Sequence, residues 1–302
     1  MPRFVEPKVF FVGATVVDPE GLREYLKYTG NEEFQSVVDA AMAGGCTDAE
    51  VLISLMAKLC YKSLTLGQNA NISRTRDIPD NVANVISTGH GSVLEHFNLS
   101  FIITDCSRVF THEIVRHRAG WAFSQTSGRY VRSDEIALIF DPILEPIRAE
   151  AEELLTHLEG WYNARVQQLG LDQLRDFTAK KKLTSALRRF MPNGQGNEIG
   201  CTCNLRALRH TLMLRTGTGV EWEARKVFSQ IYHIVKERYP LLVADAKTEE
   251  IDGATRVYGM TIQPYEEVDM GELTVAAMAA ELATRGFGVS ELQCSKAAEG
   301  SV

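Results

Sequence analysis

The residues best equipped for chemistry lie in one stretch of the chain. Arg116-His117-Arg118 is followed by Ser124, Gln125, Thr126, Ser127, Gly128, Arg129 and Tyr130. Arginines at a helix end, then hydroxyls and an amide, then another arginine, gather positive charge and hydrogen-bond donors. Guanidinium forks hold phosphate bidentately, and hydroxyls and free backbone N–H groups complete the shell. A solvated face with surface ion pairs explains one such cluster equally well. A second cluster shifts the balance: Lys180, Lys181, Lys182, Arg188, Arg189, Arg206, Arg209 and Arg215 stand against one acid, Glu198. The chain as a whole is acidic, with 32 Lys+Arg against 39 Asp+Glu and a net charge of −7. Concentrated positive charge on an acidic protein predicts a focused pocket for a polyanion, a nucleotide or dinucleotide rather than a nucleic acid.

Other chemistries are excluded by spacing. His112 and His117 resemble a zinc-protease helix, but they stand at i, i+5 and do not share a helix face. No glycine-rich phosphate loop of either common kind is present. Cys201 and Cys203 form a lone C-x-C without finger-like partners, so no metal site is expected. The six cysteines show no disulfide framework and read as reduced thiols. The start, MPRFVEPK, lacks a basic region feeding an apolar one, and Val9–Val17 is too short to span a bilayer. These features predict a cytoplasmic globular protein. Lone histidines such as His90, His96 and His210 are more often hydrogen-bonded core or surface groups than functional ones.

Several elements must position these residues. Apolar spacing predicts helices over Asp48–Leu59, Ile78–Ser87, Thr111–Arg118, about Ile147–Gln168, and Trp222–Arg238, the last stopped by Pro240. The apolar face of the Ile147–Gln168 helix is read as Leu154, Leu155, Leu158, Trp161 and Val166. Alternation of Phe97, Leu99, Phe101 and Ile103 predicts a half-buried strand over His96–Thr104. Gly120–Gly128 reads as an irregular loop, His210 as part of a helix between Asn204 and Arg215, and Leu273–Leu282 as a helical patch before a fraying tail. The class is α+β: a small antiparallel sheet packed with long helices.

These segments resemble the flavin-dependent thymidylate synthases. Arg116-His117-Arg118 with Ser127-Gly128-Arg129-Tyr130 is similar to that family's Arg-His-Arg, seven residues, Ser signature. Gly89-His90-Gly91-Ser92-Val93-Leu94-Glu95-His96 resembles its His-containing segment. Asn204-Leu205-Arg206, His210 and Arg215 resemble its Asn-x-Arg helix, and Arg188, four before Pro192, also matches. The likeness covers roughly Cys60 to Pro240. There are departures. Eight residues, Ala119 to Thr126, separate Arg118 from Ser127; Glu113 stands where Gln is usual; and both ends of the chain are longer.

The resemblance implies a homotetramer with FAD across subunit interfaces, contacted by His96, Arg116, His117, Arg118, Asn204, Arg206 and His210. It implies that Glu113, Arg116, Gln125, Ser127, Gly128, Arg129, Arg188 and Arg215 hold a pyrimidine nucleotide, with Arg215 and Ser127 catalytic. The reaction implied is C5-methylation of dUMP and/or UMP, with methylenetetrahydrofolate as carbon donor and reduced FAD, regenerated by NADPH, as hydride source. The longer loop leaves room for the branch that methylates UMP in nucleoside-antibiotic biosynthesis. The implied organisation is an N-terminal extension packed on the domain (1–45), a flavin- and nucleotide-binding catalytic domain (46–265) and a C-terminal helical extension with a frayed tail (266–302). Two other readings compete: a nucleotide- and FAD-binding protein without turnover, and an RNA-binding module on the Lys180–Arg215 patch. No cysteine follows a proline, which fits a mechanism without an enzyme thiolate.

Overall fold

The structure is a computed structural model that describes residues 3–261, within the first of two compact units, Met1–Pro264. The helix expected near 273–282 and the tail lie outside the described residues. In chain order the elements are β1 (Arg3–Val5), β2 (Lys8–Ala14), α1 (Pro19–Thr29), α2 (Glu33–Ala43), α3 (Asp48–Cys60), α4 (Ile78–Ser87) and α5 (Gly91–Leu94). Then come β3 (Asn98–Ser107), α6 (Arg108–Ile114), β4 (Trp121–Gln125), β5 (Ala137–Ile139), α7 (Arg148–Gln168) and α8 (Phe177–Leu187). β6 (Gly196–Asn204), α9 (Leu205–Arg215), α10 (Trp222–Arg238), β7 (Lys247–Ile251) and β8 (Ala254–Tyr258) complete the series. The class is α+β, as the sequence predicts.

The central sheet has the order β2-β3-β6-β4, antiparallel throughout. Leu99, Phe101 and Ile103 on β3 and Ile199, Cys201 and Cys203 on β6 turn inward and are buried with α9 and α10. Burying each large apolar side chain contributes about 1.5–3 kcal/mol. A separate core joins α1 and α2 to α3 through Leu22, Leu26, Phe34 and Val38 against Val51 and Leu55.

Local chemistry explains where the elements begin. Asp18, Asp77, Ser107 and Asn204 each accept a hydrogen bond from a first-turn N–H of the helix they precede. Pro19 and Pro79 occupy first-turn positions, where no intrahelical N–H is needed.

Three expectations change. The stretch read as an irregular loop contains β4, whose Trp121, Phe123 and Gln125 point to one face and pair with β6. Its Ser- and Gln-rich composition hides the alternation, and the hydrogen bonds come from a strand some eighty residues away. The helix expected over Thr111–Arg118 runs from Arg108 to Ile114, because Ser107 caps it early, so Arg116-His117-Arg118 follows the helix. On α7 the buried stripe is Leu155, Tyr162 and Val166, while Leu154 and Trp161 face outward. β2 and β6 have no counterpart in the pattern reading of the sequence.

One buried charge ties the last elements together. Arg209, 1% exposed, bonds both oxygens of Asp245 at 2.9 and 2.6 Å and the carbonyls of Leu242 and Thr261 at 2.6 and 3.0 Å. Arg209→Ala strands a carboxylate and two carbonyls, so it should cost about 3–5 kcal/mol. A urea unfolding curve will show the midpoint fall; an unchanged midpoint contradicts the assignment.

Candidate functional site

The two arginine-bearing segments meet at Arg215, the last residue of α9. Its Nε donates to Nε2 of His117 at 2.8 Å and a terminal nitrogen donates to Glu113 at 2.9 Å. All three side chains are partly buried. By accepting from Arg215, His117 is fixed as the neutral tautomer protonated on Nδ1. Burial pushes this imidazole below its ordinary value of 6.5, and Arg215 and then His210 add to the effect. The other terminal nitrogen of Arg215 has no partner among the described residues. Beside His117, at 6.4 Å between ring centroids, stands Trp121, whose buried indole N–H has no acceptor among the described residues.

A hollow of about 380 Å³ opens next to this cluster, lined by Asn204, Arg206 and His210 and by the Ala119–Gly120 turn. Asn204 caps α9 through Ala207 N at 2.8 Å, and its own N–H donates to the Gly120 carbonyl at 2.9 Å. The turn can approach this closely only with glycine. Gly120 has φ +73°, and a Cβ there would lie 2.5 Å from the Asn204 amide nitrogen. Arg206 crosses to Glu95 at 2.6 Å, next to His96. His96, Arg116, Arg118 and His210 are exposed around it. The donor set fits a phosphate-bearing flavin nucleotide: a guanidinium, an amide, an imidazole and a close-lying backbone.

The residues expected to hold a nucleotide divide among several places. Gly128 and Arg188 line a larger cleft of about 670 Å³. Arg129 lines a neighbouring hollow, and Glu113 stays with Arg215. Gln125 donates to the Thr111 hydroxyl at 2.8 Å. Ser127 shapes the turn that follows, accepting from Arg129 N through its hydroxyl and from Tyr130 N and Val131 N through its carbonyl. The patch read as an RNA-binding surface is dispersed: Arg209 is in the core, and Arg206 and Arg215 hold carboxylates.

Sequence reasoning passed over Arg108, Asn197 and Glu223. Arg108 and Arg188 flank Gly128, where an added Cβ would lie 3.4 Å from each side chain. Burial, and then the like charge of Arg188, lower the Arg108 pKa. The buried Asn197 amide nitrogen, without a partner among the described residues, lines the same cleft. Two adjacent cations and an orphaned donor are what an anion would satisfy. Glu223 on α10 accepts from Ser107 N at 2.6 Å and from the Ser107 hydroxyl, anchoring the start of α6. The signal in the sequence is thin: a lone Ser-Arg after a strand and a Glu in an amphipathic helix. The thiols of Cys106, Cys201 and Cys203 are raised by burial, that of Cys201 to about 12, so none of these three is a thiolate nucleophile.

The fold and these clusters define an α+β protein with arginine-lined clefts at both ends of its central ladder. Comparison with known proteins makes this particular. The model of the thymidylate synthase complementing protein family matches residues 42–241, and the chain belongs to that family. It is 28% identical over 245 residues to the flavin-dependent thymidylate synthase of Corynebacterium diphtheriae, covering 76% of this chain and 90% of that one. With the Mycobacterium avium enzyme of the same name it shares 29% over 220 residues, covering 70% and 86%. Among solved structures, the UMP/dUMP methylase PolB from Streptomyces cacaoi bound with 5-Br dUMP matches with a TM-score of 0.51 at 17% identity. That match covers 80% of this chain and 94% of PolB and speaks to the fold.

The depressed imidazole gives stability a pH dependence. Unfolding returns His117 to its ordinary value, near 6.5, so as pH falls below that the unfolded state takes up its proton first. The His117 contribution is full above the unfolded value and is lost as pH falls below it. Between pH 7.5 and 5.5 the melting temperature should therefore fall more steeply for the unaltered chain than for His117→Gln. Parallel slopes in differential scanning calorimetry would exclude this origin.

Proposed function

We propose that this protein catalyses flavin-dependent C5-methylation of a uridine 5′-monophosphate nucleotide, dUMP and/or UMP. In that reaction methylenetetrahydrofolate supplies the carbon and FAD, re-reduced by NADPH, supplies the hydride. The observation that carries this reading is the contact of Arg215 with His117 and Glu113. It brings both family motifs to one point beside a hollow suited to FAD.

In this reading Arg215 holds the uracil carbonyls through its remaining terminal nitrogen. There it stabilises negative charge as C5 becomes nucleophilic. His117 and Glu113 fix the guanidinium plane in advance, so no reorganisation is needed as that charge develops. Ser127 keeps its hydroxyl proton available for the nucleotide, and Arg129 and Arg188 take the phosphate. Arg116, Arg118, Asn204, Arg206, His96, His117 and His210 hold FAD. Several of these groups are exposed in the single chain, which supports a site completed by other copies in a homotetramer. The reading also implies a cytoplasmic enzyme.

The decisive experiment is an assay of the purified chain with FAD, methylenetetrahydrofolate, NADPH and either dUMP or UMP, following loss of tritium from C5. No release with either nucleotide by a FAD-loaded protein would defeat the proposal. Arg215→Lys keeps the charge but not the two anchoring bonds, and should lower kcat by roughly 10²-fold or more. Its FAD affinity should stay within about threefold, read by flavin fluorescence. Arg206→Ala and Arg118→Ala should each weaken FAD by about tenfold or more, corresponding to the roughly 1.5–3 kcal/mol of a charge-assisted hydrogen bond. Unchanged affinity in both would refute their role.

A further inference from the structure

Beside the larger cleft lies a second hollow of about 550 Å³, and Val131 and Arg132 line both. One wall is α8, from which Phe177, Lys180, Lys181 and Thr184 face it at i, i+3, i+4 and i+7. That spacing is one helix face. On a helix packed against a core such a stripe is apolar; here only Thr184 is buried, and the stripe carries two ammonium groups and a ring. Across the hollow Tyr130 stacks on Phe177, with centroids 6.0 Å apart and planes within 15°. Both rings are largely open to solvent, Tyr130 at 51% and Phe177 at 66%. Lys181 Nζ stands 4.8 Å from the Tyr130 ring centroid and the Arg129 guanidinium 5.8 Å from it. The Lys181 ammonium draws the Tyr130 phenol below its usual 10.0.

Charge in this hollow is unbalanced. Its two carboxylates, Asp134 and Asp172, are both held by Arg132 at 2.6 Å. Arg129, Lys180 and Lys181 are left without a carboxylate partner among the described residues. A volume of this size is ordinary for a small-molecule site. An exposed pair of stacked rings edged by three cations that have no carboxylate partner among the described residues is complementary to a planar ring carrying clustered negative charge.

We propose that this hollow binds the aromatic, multiply anionic end of a co-substrate, its ring on the Tyr130–Phe177 shelf and its anions on Lys180 and Lys181. The inference rests on the function proposed above, which brings two molecules of that chemistry to the protein. The folate carries an aryl ring bearing glutamate carboxylates, and NADPH carries an adenine beside a 2′-phosphate. The chain from Gly128 to Arg132 runs along both hollows, so a ligand held here sits next to the nucleotide cleft.

Isothermal titration of the full chain tests this with two probes, p-aminobenzoyl-triglutamate and adenosine 2′,5′-bisphosphate. The variants are the double Lys180→Gln/Lys181→Gln, at half-buried lysines, and, separately, Phe177→Ala, at an exposed ring; their melting temperatures check the fold. One probe should bind the unaltered chain and weaken at least tenfold in each variant, while dUMP affinity changes less than twofold; which probe it is names the co-substrate. If neither probe binds, or if the variants bind them as the unaltered chain does, the proposal fails. Loss of dUMP binding in the variants would also overturn it, by assigning the hollow to the nucleotide. Because these readouts are binding constants, they can fail while methylation persists, or hold in a chain that does not turn over.

Discussion

The pairing of β3 with β6 is the constraint from which both ends of the site follow. The ladder runs from Asn98 opposite Asn204 to Ser107 opposite Gly196. A slip of one residue would turn Leu99, Phe101 and Ile103 out of the core, so burial locks the register. At one end that register sets Asn204 and α9 against the segment that carries Glu95 and His96. At the other it sets Ser107 and α6 against the Asn193–Asn197 stretch, where Arg108 N donates to the Asn193 carbonyl at 2.9 Å. Between Ile103 and Cys106 the ladder shifts, and Asp105 takes a positive φ of 50° there, opening β3 toward the larger cleft.

Given the ladder, close backbone approach does the rest. Gly91 lies under Arg206, where an added Cβ would stand 2.8 Å from its Nε, and Gly120 lies under Asn204. Both glycines let chain segments from different motifs touch the first turn of α9. Glu223 holds the other side, pinning Ser107 from α10. Burial raises its pKa, while the two Ser107 donors act in the opposite direction.

Electrostatics then separates structural from ligand-facing cations. Arg209 is spent in the core, where its four hydrogen bonds offset the cost of desolvation. Arg206 and Arg215 are half-committed, each oriented by one carboxylate. Arg116, Arg118 and Arg188 remain exposed, and Arg108 is held against Arg188 with no carboxylate partner among the described residues. An acidic chain thus presents concentrated positive potential in its clefts, which matters for anion capture more than net charge does.

Much of this was written in local pattern. The bounds Ile78–Ser87 and Trp222–Arg238 are readable because caps, prolines and 3.6-residue periodicity are local features. The family motifs are likewise contiguous, so the resemblance they carry was enough to name Arg116, His117, Arg118, Asn204 and Arg215. Tertiary structure decided what depends on a distant partner. β4 became a strand because β6 offered it hydrogen bonds, against its own loop-like composition. Leu154 and Trp161 turned outward because Leu155, Tyr162 and Val166 found the core first. Arg209 and Arg215 are six residues apart on one helix, yet one is a buried strut and the other faces the site. Only the elements packed around α9, Asp245 on one side and His117 with Glu113 on the other, tell them apart.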